Sequence, residues 1–65
     1  MPHYLTEEGF ELLKNAHIEQ AKSLNLKPYK NKWGYITYEG DGLDLVISEN
    51  NIIVRDQNNK IDYGR

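Results

Sequence analysis

The residues of this chain best equipped for chemistry are His17, the acidic trio Glu39, Asp41 and Asp44, and the lysines and aromatics between Lys27 and Tyr35. Histidine is the side chain type whose charge most readily changes around neutral pH, which suits His17 by type to catalysis or metal binding. Either role needs partners: no histidine stands three or four positions away, the only other one is His3, and there is no cysteine. A histidine on the apolar side of a helix is better explained by a hydrogen bond to a backbone carbonyl or a tyrosine hydroxyl, with Gln20 beside it in the same polar pocket. The acidic trio surrounds Gly40 and Gly42, where carboxylates are ordinary turn residues. It lacks both the alternating acidic ladder and the terminal bidentate Glu of a calcium loop. No nucleophile elbow, dinucleotide fingerprint, phosphate loop or His-Glu-x-x-His pattern occurs. An enzyme is therefore not expected, and neither is a metal or a cofactor.

Lys27, Lys30 and Lys32 place three of the eight basic residues within six positions, interleaved with Tyr29, Trp33 and Tyr35. Lysines on phosphates with aromatics stacked on bases form a nucleic-acid footprint, and Arg55 would join them from the same sheet face. A net charge of -2 speaks against it. A solvated loop after Pro28, whose lysines keep neighbouring aromatics soluble, is the preferred explanation.

These side chains must be positioned by a chain of 65 residues with 38% hydrophobic content. That suffices for one compact core, without a deep substrate cleft as well. One domain, residues 1–65, is the expectation. Burial at about 25 cal/mol per Å² barely exceeds about 1.5 kcal/mol of ordering entropy per residue in so short a chain, so most such chains carry a staple. Without cysteine, a disulfide and a thiolate zinc site are excluded, which leaves association. No apolar run approaches the length of a membrane span, and Met1 to Glu7 lacks the basic head and apolar stretch of a signal peptide. The expected location is the cytoplasm, away from the membrane.

Thr6 is suited to cap a helix, Glu7 and Glu8 favour the positive end of its dipole, and Leu5 with Phe10 fits a hydrophobic staple. Asn25 tolerates the left-handed conformation that closes a helix, and Pro28 prevents continuation. A helix over residues 7–24 follows. At 100° per residue, Phe10, Leu13, Ala16, His17, Gln20, Ala21 and Leu24 share its inward face, with Leu12 and Ile18 on the flanks. From Trp33 the period becomes two, predicting strands at 33–38, 43–48, 52–56 and 60–63, joined by short Gly- and Asn-rich turns. The fold class is α+β: one N-terminal helix packed on a three- to four-stranded antiparallel meander, in the order α-β-β-β-β.

Two-residue turns at Gly40-Asp41 and Glu49-Asn50 pair Ile36 with Leu45, Tyr38 with Leu43, Leu45 with Val54 and Ile47 with Ile52. Sliding a turn by one position changes partners by two and leaves every residue on its face. The opposite face holds Trp33, Tyr35, Thr37, Asp44, Val46, Ser48, Ile53 and Arg55, which is too apolar for water. One helix covers one side of a sheet, so Trp33, Tyr35, Val46 and Ile53 are expected to meet a protein partner, most simply a second copy in a homodimer. The alternative is a nucleic-acid-binding regulator using Lys27, Lys30, Lys32 and Arg55.

Overall fold

A computed structural model describes residues 3–57 and 59–65. Its elements are β1 (His3–Tyr4), α1 (Glu7–Ser23), β2 (Tyr29–Lys30), β3 (Ile36–Gly40), β4 (Leu43–Ile47), β5 (Asn51–Asp56) and β6 (Asn59–Gly64). The strands form one sheet in the order β1-β6-β5-β4-β3-β2. The α+β class holds, but the sheet has six strands and is mixed, because β1 runs parallel to β6 through the pairs His3–Tyr63 and Tyr4–Gly64. The expected three- to four-stranded antiparallel meander is its centre. Both additional strands contain two residues, too few to show a period, and the β1 pairing joins opposite ends of the chain.

Local chemistry sets the limits of α1. The Thr6 hydroxyl accepts the Gly9 N–H at 3.1 Å, and Leu5 packs against the core beside Phe10. At the other end Asn25 adopts φ 62°, its N–H donates to the Lys22 carbonyl at 2.9 Å, and the Leu26 N–H donates to Ala21 at 3.1 Å. Those two bonds are the Schellman closure that a left-handed residue permits. The helix links β1 at one sheet edge to β2 at the other, lying across one face only.

That face holds the core: Phe10 and Ala21 of the helix are buried with Tyr38, Leu43, Leu45, Ile52 and Val54 of the strands. The inward stripe of α1 is rotated from the expected one. Ile18 packs on the core, whereas Ala16 and Gln20 are exposed and Leu12 is 72% exposed. Packing around Phe10 and Ala21, the two residues sealed against the sheet, fixes the rotation.

The β3–β4 turn is Asp41-Gly42, with φ of 49° and 81°, one position later than expected. Two positive φ angles define a type I′ hairpin, which Asp-Gly suits. Gly40 ends the strand under the Leu26 side chain, whose Cδ2 would lie 2.5 Å from an added Cβ, and its φ of 149° also favours glycine. Ile36 therefore faces Ile47, and Tyr38 faces Leu45, in place of Leu45 and Leu43. The faces are unchanged, since the shift is by two residues. In the next hairpin Ile47 faces Ile52 and Leu45 faces Val54, as expected. Asn58, in the last turn, lies outside the described residues, as do Met1 and Pro2.

Candidate protein-interaction face

Cross-strand partners project to the same side of a pleated sheet, so the register defines rows of side chains on the face away from α1. One row reads Asp62, Ile53, Val46, Thr37 and Tyr29 from β6 to β2. The adjacent row reads Lys60, Arg55, Asp44 and Glu39 from β6 to β3. A row with an aliphatic centre, Ile53 and Val46, thus lies beside a charged row whose signs run plus, plus, minus, minus.

The expected strand over residues 33–38 begins only at Ile36. Asn31 takes over the preceding residues: its Oδ1 accepts the N–H groups of Trp33 at 2.9 Å and Tyr35 at 3.0 Å. Its carbonyl accepts from Gly34 at 2.9 Å, and its own N–H donates to the Tyr35 carbonyl at 2.9 Å. An asparagine side chain replacing the strand ladder in this way produces a compact loop, and Gly34 supplies the left-handed residue at φ 83°. Trp33 stands on that loop, 67% exposed, with the Lys32 Nζ 4.5 Å from its ring centroid.

Trp33 and Tyr35 wall an open depression of about 400 Å³, floored by Val46 and Ile53 and rimmed by Asp44, Arg55 and Lys60. All four residues expected at a protein interface therefore meet in one hollow. Val46 and Ile53 are only half-buried. Arg55 lies 3.9 Å from the Asp44 carboxylate, a long and solvated ion pair. The Tyr29 hydroxyl donates to Glu39 at 3.1 Å. That bond, then burial and then the charges of Glu39 and Asp44 push the Tyr29 pKa above its ordinary value, because ionisation would forfeit the bond and add a like charge.

The basic set does not converge. Lys32 and Arg55 belong to the open face, but Lys30 pairs with Ile36 and so shares the helix-side face, while Lys27 is exposed in the connection before β2. Two residues of the open face escape sequence reasoning. Lys60 becomes visible only once the last turn places it opposite Arg55, and Asn31 carries an isolated loop signal with no period around it.

His17 lies on the other side of the sheet. Its Nδ1 is 3.1 Å from the Gln20 Oε1, its ring centroid is 6.3 Å from that of Tyr63, and its buried Nε2 has no partner among the described residues. The contact with Gln20 is present on an exposed stretch of the helix, not in a pocket, and that side chain stands in place of the expected carbonyl or tyrosine hydroxyl. The acidic trio is divided, with Glu39 and Asp44 in the charged row and Asp41 in the turn. Among the described residues no cluster of three or more His, Cys, Asp or Glu side chains is placed to hold a metal, and no helix is long and apolar enough to cross a membrane. Compared with protein-family models, curated proteins and solved structures, the chain matches none.

Proposed function

We propose that the protein is a small, non-enzymatic interaction module that self-associates through the sheet face opposite α1. The observation that carries this reading is the meeting of Trp33, Tyr35, Val46 and Ile53 in one solvent-open hollow. Aromatic anchors over a small apolar floor with a charged rim are the composition of a protein-binding centre. A chain this short, without a disulfide, also gains stability from burying that floor against a second copy.

Sedimentation of the wild type and Val46→Glu across micromolar concentrations tests the proposal. The wild type is expected to move from monomer to dimer, and the variant to stay monomeric with an unchanged fold. Two chains that behave identically would remove the basis for this interface.

A second reading, nucleic-acid binding, is favoured by the Lys32–Trp33 stack and by Arg55 at the same hollow. It predicts binding that weakens steeply with salt and is lost in Lys32→Glu. No association with single-stranded DNA or RNA at about 50 mM salt would eliminate it.

A further inference from the structure

We propose that the second copy docks face to face about a two-fold axis parallel to the strands, passing between β4 and β5. This arrangement rests on the self-association proposed above and specifies its geometry. The sheet order β1-β6-β5-β4-β3-β2 has its midpoint between β5 and β4, so an axis there superposes the sheets over their full width. Such a rotation keeps each row at its own height and reverses its direction. β5 then lies over β4 of the other copy, and β6 over β3.

The centre of the first row and the whole charged row become complementary under that reversal. Ile53 covers Val46 of the second copy and Val46 covers its Ile53, while Asp62 lies over its Thr37. In the charged row, Lys60 meets Glu39 of the second copy and Arg55 meets its Asp44, each contact made twice. Within one chain the outer charges of this row, Lys60 and Glu39, have no ion-pair partner among the described residues, and only the inner pair Arg55–Asp44 is formed. The plus, plus, minus, minus sequence therefore places each of that row's four charges opposite its counter-charge, whereas a copy shifted sideways by two strands would oppose like charges. Aligned sheets pack about 10 Å apart, which a lysine and a glutamate span when both extend.

The size of the face sets the strength. Four strands of about 17 Å and two two-residue edge strands, at about 4.8 Å spacing, give a flat footprint on the order of 400 Å² per copy. At about 800 Å² in total that is below the standard size and in the range of weak, transient complexes, so a dimer dissociating in the micromolar range or above is expected.

Charge reversal with complementation tests the axis by sedimentation. Lys60→Glu and Glu39→Lys should each weaken self-association by about tenfold or more, since each homodimer opposes like charges twice. An equimolar mixture of the two variants should recover wild-type affinity as a heterodimer, because both contacts are then opposite in sign. The double variant should recover it as well. Glu39→Gln retains an acceptor for the Tyr29 hydroxyl and should weaken association by a smaller factor, which keeps the pairing testable if Glu39→Lys perturbs the fold. If Val46→Glu abolishes the dimer but mixing restores nothing, the open face is the interface and this axis is wrong. A wild-type chain that stays monomeric at all concentrations overturns both proposals.

Discussion

On the helix side of the sheet, Tyr38, Leu45, Ile52 and Val54 are sealed beneath α1, whereas on the other side of the same strands Val46 and Ile53 are half-buried and Trp33 stands in solvent. The two faces alternate along shared strands and are similarly aliphatic at their centres. They differ in what surrounds those centres. The sealed face carries polar side chains only at its margins, Lys30, Asp56 and Asn59, while the open face has a charged row along one side and an aromatic loop at one end. A core needs only exclusion of water, and any apolar filler of suitable volume provides it. A face intended to meet a separate molecule also needs register, which ordered charges supply.

Substitutions matched across the sheet sharpen this contrast. Leu45→Ala removes a side chain with no exposed surface and should cost about 2–5 kcal/mol, enough to unfold much of the population in a thermal or urea titration. Val54→Thr should cost about 1–3 kcal/mol by burying a hydroxyl on the sealed face. Val46→Thr, the same change on the open face, should cost under about 1 kcal/mol in the dissociated chain, and equal losses at both positions would erase the distinction between the faces. Asn31→Ala removes two side-chain acceptor bonds and should cost about 1 kcal/mol while freeing Trp33, read as lower fluorescence anisotropy.

The smallest expected effect concerns pH. Glu11 accepts a hydrogen bond from Lys14 at 2.8 Å; this bond chiefly, with the charges of Lys14 and Arg65 and against partial burial, holds its carboxyl below the ordinary 4.5. A lowered folded-state value stabilises the fold above the unfolded value, and the contribution is lost as pH falls through the folded one. Glu11→Gln should therefore lower the melting midpoint slightly at pH 7, and the difference should shrink as pH falls below 4.5 and through the carboxyl's folded value.

Elements whose signals are local could be read from the sequence. Thr6 and Asn25 bound the helix through bonds to residues within four positions, and alternation fixed which strand residues share a face. What escaped depends on distant or competing partners. β1 exists because His3 and Tyr4 meet Tyr63 and Gly64, and no local pattern encodes that meeting. Trp33 and Tyr35 continue the strand alternation, yet Asn31 captures their N–H groups and bends them into a loop. The rotation of α1 followed from packing of Phe10 and Ala21, which outweighed an averaged apolar stripe. The hollow was legible as a face, and its charge order was not, because Lys60 belongs to the strand with the weakest pattern.

Trp33 is the chain's one tryptophan and stands at the hollow itself, so its emission reports directly on whether the open face is covered. The decisive measurement is iodide quenching and emission wavelength of Trp33 against protein concentration. Falling quenching and a blue shift over the micromolar range, both absent in Val46→Glu, are the predicted result. A tryptophan equally accessible at every concentration would contradict it.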